Sequence, residues 1–259
     1  MRLIFLGSGS AFTTDDNYNS NMLLENSHHH NLLIDCGSDA RHALTDLGLS
    51  HCNIQSVYVS HLHADHVGGL EWLAFTRMFD SDCNEKPTLY LQESLVKPLW
   101  ENTLSGGLKS LEDKNAELST YFRVKLIPKD TFNWEGLDIT LVQTLHTKSC
   151  GKLSPSYGLF FSADGLNILI TTDTQFSPEH YKNFYEKADI IFHDCETIGK
   201  PSSVHATYKQ LTTLDANIKK KIWLYHYNNN KLPDAKKDGF RGFVKKGQIF
   251  DFSDKKTLG

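Results

Sequence analysis

The sequence predicts an α/β protein made of two packed β-sheets covered by helices. Three observations carry this reading. β-type segments dominate both halves of the chain, helical patterns separate the later strands, and no linker or composition shift divides the 259 residues, so one domain over 1–259 is expected. With 39% hydrophobic and 11% aromatic residues, the chain has ample material for a core, which excludes disorder as its dominant state.

The opening MRLIFLGSGSAF carries an apolar stretch too short for a signal peptide. It reads as a buried first strand over 3–6 that runs into a glycine turn. Strands over 22–25 and 32–35 follow, and His28-His29-His30 between them reads as a solvated turn. A helix over 39–47 is closed by Gly48. Residues 54–59, β-branched and aromatic, form a strand that ends at a histidine cluster. The stretch 67–79 reads as a helix, with Trp72, Phe75 and Phe79 at near-helical spacing turned toward the core. A strand over 89–91 and a helix over 95–103 come next. The polar stretch 106–117 reads as a mobile flap near the site. β character returns over 122–127, 137–145, 157–162 and 167–171, with Ala163-Asp164-Gly165 as a hairpin turn between the last two. Helices over 179–187 and 207–215 flank two apolar strands, 190–192 and 222–225.

Composition narrows the class. The net charge of -4 is mild and points to neither a nucleic-acid glove nor an acidic tail, although a local basic patch would still permit an RNA substrate. No apolar run approaches the ~20 residues that span a bilayer, so no membrane partner is expected. Five scattered cysteines without a CxxC pair suit free thiols in a reducing cytoplasm, the expected location.

The chemistry gathers at His61, His63, Asp65 and His66. At a strand end alternate side chains point the same way, so His61 and His63 can face one metal while Asp65 and His66 reach a neighbouring position. Neutral imidazoles and a carboxylate suit Zn²⁺ or a similar ion. At random composition the pattern arises in roughly one window in 10⁵, so coincidence is a poor account of it. Further ligand types stand where apolar strands end: His146 after 137–145, Asp173 after 167–171, and His226 after 222–225.

Taken in order, SHLHADH, His146, the TTDT around Asp173 and the LYHY around His226 resemble the metallo-β-lactamase superfamily over nearly the whole chain. FLGSGSAF and the IDCG at Asp35 extend the resemblance. It implies a four-layer αββα sandwich with metals at one edge of the two sheets. It also implies that His61, His63 and His146 hold one ion, that Asp65, His66 and His226 hold a second, and that Asp173 bridges them. Two divalent ions are expected, zinc foremost, with manganese or iron able to use the same donors. Asp35 is read as a hydrogen-bond acceptor for a ligand imidazole.

Two such cations lower the pKa of a bridging water and polarise an ester oxygen, so the substrate has an acyl or phosphoryl electrophile. The block HDCETIGKPSSVHATY resembles the ribonuclease Z branch, in which a histidine before a helix is a proton donor. His205 matches that histidine, with Asp194 as the better positional match for its acidic partner and Glu196 as the alternative. The opening FLGSGSAF is similar to the same branch. Transfer-RNA-processing members carry a long arm between the third histidine and the bridging aspartate, whereas only 147–172 separates His146 from Asp173 here. The chain lacks the Cys-rich zinc motif of the phosphoribosyl cyclic phosphodiesterase, yet shares its short spacing and its Asp-Cys followed by His.

The expected function is therefore a metal-dependent phosphodiesterase that hydrolyses a small phosphodiester or cyclic nucleotide through a hydroxide activated by two metals. Asp65, His205 and Asp194 are its expected catalytic residues. A ribonuclease Z-like endoribonuclease, an acyl hydrolase of thioesters or lactones, and a nucleic-acid-binding protein without turnover are the alternatives. A homodimer is implied by the resemblance alone. Lys148 and Lys152 read as solvated loop lysines, Ser154 and Tyr157 as residues able to position a substrate, and Cys195 as a buried thiol.

Overall fold

Side-chain alternation builds the layers. In β1 (Arg2–Phe5), Leu3 and Phe5 enter a core between two sheets, while Ile4 points to the opposite face and a second core under helices. The computed structural model describes residues 1–14, 16–112, 114–228, 231–254 and 258.

Chain order becomes neighbour order. The first sheet runs β1, β2 (Met22–Glu25), β3 (Asn31–Ile34), β4 (Ser56–Val59), β5 (Thr88–Gln92) and β6 (Arg123–Ile127). The second runs β7 (Thr131–Trp134), β8 (Leu137–Gln143), β9 (Tyr157–Ala163), β10 (Leu166–Ile170), β11 (Ile190–Asp194), β12 (Ile222–Tyr225) and β13 (Gly242–Phe243). A last strand, β14 (Ile249–Asp251), crosses back to pair antiparallel with β1.

Each sheet begins antiparallel and turns parallel, at β3/β4 in the first and at β10/β11 in the second. Parallel pairs need crossovers, and the crossover helices cover the outer faces. On the first sheet these are α1 (Ala40–Asp46), α2 (Ala64–Val67) and α3 (Leu70–Phe79). On the second they are α4 (Pro178–Lys187) and α5 (Tyr208–Leu211). Between the sheets Phe5, Tyr58, Trp134, Phe161, Phe192 and Phe250 are buried together. The layers run helix, sheet, sheet, helix, as expected. Among the described residues no helix is long and apolar enough to cross a membrane.

Several local expectations are met. His28 and His30 lie exposed in the β2–β3 turn with His29 in the left-handed region, and Asp164 and Gly165 (φ 49° and 76°) make a tight hairpin between β9 and β10. Others need correction. The helix expected over 67–79 is two pieces, because the Gly69 N–H donates to the Cys36 carbonyl (2.9 Å) instead of continuing the helical ladder. In α3 the inward residues are Leu70, Leu73, Ala74 and Arg77. Trp72 and Phe75, half-buried, pack against this core as expected, whereas Phe79 is 70% exposed, since its two-residue offset from Arg77 turns it by about 200°. The expected helix over 95–103 is an α-helical turn (Glu93–Pro98) that widens into a π-helix (Leu99–Leu104). The cysteines are not all free: a disulfide joins Cys52 to Cys83, 31 residues apart, because the end of α3 returns the chain to the start of β4. Cys36 and Cys195 are buried thiols and Cys150 is exposed.

Candidate metal centre

The carboxyl ends of parallel strands in both sheets meet at one edge, where loops can converge on a ligand. His61 follows β4, Asp35 follows β3, Asp173 follows β10, Asp194 ends β11 and His226 follows β12. His146 comes from the loop after β8, and α2 supplies Asp65 and His66 with His63 at its N-cap.

Asp35 organises the first half. Its carboxylate accepts from the Ser60 N–H (2.8 Å) and the Ser60 hydroxyl (2.7 Å), and its Oδ2 lies 2.7 Å from Nδ1 of His66. The expectation that Asp35 supports an imidazole is met, and the same contacts fix the start of the histidine motif. The Asp35 backbone is left-handed (φ 63°), held there by its N–H to the Tyr58 carbonyl (2.9 Å). Two residues on, Gly37 packs so tightly against α2 that a Cβ would stand 2.1 Å from the Asp65 carbonyl oxygen. The glycine turn at the N-terminus positions the opposite side: the His226 N–H donates to the Ser8 carbonyl (2.8 Å), with His226 also left-handed (φ 62°).

The seven expected metal residues converge in two groups that share Asp173. Donor atoms of His61, His63, His146 and Asp173 all lie within 4.8 Å of one another, and those of Asp65, His66, Asp173 and His226 do likewise. In the first group His63 Nδ1 is 3.0 Å from His61 Nε2 and 3.2 Å from His146 Nε2, and both Nε2 atoms are 3.7 Å from Asp173 Oδ2. In the second, His66 Nε2 is 3.2 Å from Asp65 Oδ2 and 3.3 Å from Asp173 Oδ2. His226 Nε2 is 3.3 Å from Asp65 Oδ2 and 3.4 Å from Asp173 Oδ1.

Electrostatics separates the two groups. Burial pushes His61, His63 and His146 below the usual imidazole pKa, so they face one another as neutral donors. Burial also opposes charge on His66 and His226, but it is outweighed by Asp173 and neighbouring carboxylates, and both are raised. Asp65 and Asp173, despite burial, are held low by those imidazoles. Despite these approaches, buried His66 Nε2 and Asp173 Oδ1 make no hydrogen bond of acceptable geometry among the described residues. Orphaned, converging nitrogen and oxygen donors fit divalent cations, which would satisfy them.

His205, just before α5, faces the same edge. Its Nδ1 lies 2.7 Å from Asp194 Oδ2 and 4.0 Å from Asp173 Oδ2. The partner is Asp194, because the Glu196 carboxylate instead accepts from the Ser202 N–H (3.0 and 3.1 Å). Asp194 is itself held by the Thr174 N–H (2.8 Å). Burial opposes a charged His205, yet Asp194 prevails and its pKa is raised.

These groups open into a cleft of about 440 Å³ lined by His63, Asp65, His205 and His226. Its rim includes residues that sequence reasoning missed: Phe12 (85% exposed), Ile198, Lys200 and Asn228. Phe12 carried one signal, a large apolar side chain directly after a glycine turn beside the site. Lys148, Lys152, Ser154 and Tyr157 are not among the lining residues, and both lysines are exposed as expected. None of the described residues of 106–117 lines the cleft.

A family model described as "Anti-Pycsar protein Apyc1" matches residues 1–250. A relative of that name from Paenibacillus harenae is 38% identical over 232 residues, covering 88% of this chain and 90% of the relative. One from Bacillus phage vB_BsuM-Goe3 is 31% identical over 257 residues, covering 95% and 96%. Among solved structures, the metallo-β-lactamase fold protein YhfI from Bacillus subtilis superposes with a TM-score of 0.74 at 17% identity, covering 96% of this chain and 98% of that one. Human tRNase Z, short form, superposes at 0.69 and 19%, covering 97% and 99%. The fold is that of the metallo-β-lactamases.

Proposed function

The chain belongs to the anti-Pycsar Apyc1 family, and from that membership we propose that it is a metal-dependent phosphodiesterase that hydrolyses a small, cyclic nucleotide. The observation that carries this reading is the Asp194–His205 pair, 2.7 Å apart and open to the cleft beside Asp65 and His226. A proton donor held there can protonate the alkoxide that departs from a phosphodiester, whereas the thiolate of a thioester leaves without such help.

In this reading His61, His63 and His146 would hold one divalent ion and Asp65, His66 and His226 another, with Asp173 common to both donor groups. Bound there, the ions would supply Lewis acidity and a water acidic enough to react near neutral pH. The chain's own residues do the rest. Asp35 orients His66 and the strand end that carries His61. His146 Nδ1 lies 2.9 Å from the Val204 carbonyl, which leaves Nε2 for the centre. Asp194 favours the charged form of His205 and fixes its ring through Nδ1, which leaves Nε2–H as the proton offered to the leaving oxygen.

The test is a cleavage panel of 3′,5′- and 2′,3′-cyclic nucleotides, linear RNA, precursor tRNA and a thioester, run with zinc, manganese and iron. Cyclic nucleotides should be cut, and His205→Ala should lose about 10²–10⁴-fold in rate with metal content unchanged. Preferred turnover of the thioester, or full activity in the variant, would sink the reading.

A further inference from the structure

A second cluster of metal-type donors lies at the far end of α3. His51 and Cys52 occupy a short turn before β4, while Asp80 caps α3 and Cys83 follows in the next loop. One donor atom from each of the four lies within 4.8 Å of the other three. His51 Nε2 is 2.9 Å from Asp80 Oδ2 and 3.7 Å from Cys52 Sγ. In a tetrahedral zinc site, Zn–N near 2.0 Å and Zn–S near 2.3 Å put neighbouring donors roughly 3.3–3.8 Å apart, so His51 stands near that range from both Asp80 and Cys52, and the two sulfurs, bonded to each other in the disulfide, move apart on reduction. Two thiolates, an imidazole and a carboxylate form a zinc-type set.

We propose that His51, Cys52, Asp80 and Cys83 form a second metal site that takes zinc when the two thiols are reduced and is closed when they form their disulfide. The disulfide alone gives no reason for an imidazole and a carboxylate to converge on it. Neither does the cluster depend on the sulfur bridge for its assembly. The buried Arg77 guanidinium donates to the carbonyls of His51 (3.4 Å) and Cys52 (3.5 Å), and from Nε to that of Glu85 (2.9 Å), binding both chain segments to α3. The Asp82 N–H donates to Asp80 Oδ1 (2.7 Å), which leaves Oδ2 directed at His51. The Trp72 ring meets His51 edge to face and fixes its orientation. Reduction therefore frees two sulfurs inside a frame that stays in place.

The chemistry balances. Two equivalents of a low-molecular-weight thiol reduce the Cys52–Cys83 bond, giving two protein thiols and one small disulfide. Binding of Zn²⁺ then displaces both thiol protons to solvent and forms two Zn–S bonds. A small-molecule disulfide reverses the first step once the metal leaves. Either closed form ties off the stretch 52–83, which contains the HxHxDH motif.

The full chain, reduced with a phosphine that is then removed under anaerobic conditions, is loaded with Co²⁺ as a probe and separately analysed for zinc. The reduced protein should show a thiolate-to-cobalt charge-transfer band and carry about one more zinc per chain than Cys52→Ser/Cys83→Ser. The oxidised protein should show neither. His51→Ala and Asp80→Ala, which keep both thiols, should weaken cobalt binding at this site ~10-fold or more and guard against a misfolded cysteine variant. Equal zinc content and no thiolate band in the reduced wild type, or cobalt affinity unchanged in both ligand variants, overturns the proposal.

Discussion

Asp194 Oδ2 stands 2.7 Å from Nδ1 of His205. Burial at that position disfavours the charged imidazole, and the carboxylate more than compensates. A histidine with a raised pKa stays protonated to higher pH, so a reaction that needs its proton holds its rate up to that pKa and falls above it. Asp194→Asn removes the charge and should move the alkaline fall of the pH–rate profile to lower pH, with a ~10–100-fold lower maximum. A profile that keeps its alkaline limb in place would remove His205 from proton transfer.

Asp35→Asn separates charge from shape. Asparagine accepts the left-handed backbone that Asp35 adopts (φ 63°), so the fold should persist, while His66 loses the anionic partner of its Nδ1. Metal affinity should weaken ~10–100-fold with little change in melting temperature of the metal-free protein. Competition with a calibrated chelator measures the first and a thermal melt the second. Wild-type affinity would mean that Asp35 serves the Ser60 turn alone.

Gly37→Ala probes the packing under α2. A methyl 2.1 Å from the Asp65 carbonyl oxygen must push that backbone away, at a cost of about 1–3 kcal/mol. Because Asp65 rides on the displaced turn, bound metal should fall along with stability. Loss of stability at full metal content would indicate that the turn yields on the other side.

Phe12 offers an exposed ring at the cleft rim. Base stacking on an aromatic is worth about 1–3 kcal/mol, so Phe12→Ala should raise KM for a nucleotide ~5-fold or more with kcat largely kept. A phosphodiester without a base, such as bis(p-nitrophenyl) phosphate, should be cut equally well by both proteins. An equal loss on both substrates would argue against stacking.

The parts of the site set by strand ends were legible in the sequence. HxHxDH after a β-branched run, and single His or Asp residues closing three later apolar runs, follow from the chain alone because a strand delivers its next residue to the sheet edge. The choice of Asp194 over Glu196 was open, since both flank Cys195; the Ser202 N–H that occupies Glu196 belongs to a loop whose path no periodicity reveals. The disulfide was hidden for the same reason, as contact between Cys52 and Cys83 depends on how far α3 runs before it turns back. β7 escaped because TFNW offers only two apolar residues, and β14 because its exposed Ile249 and charged Asp251 surround a single buried Phe250. Of the aromatic stripe of α3, Trp72 and Phe75 do reach the core, and Phe79 was misjudged because Arg77 takes the inward position of the last turn.

Asp35, Thr172 and His226 share a backbone geometry that costs a non-glycine residue of order 1–3 kcal/mol. Thr172 directs the next residue, Asp173, and the other two are themselves part of the site. Whoever transplants these seven side chains onto a plain β-sandwich will therefore reproduce a parts inventory rather than a working centre. The kinked corners, together with the carbonyls of Tyr58 and Ser8 that restrain two of them, have to travel with the graft.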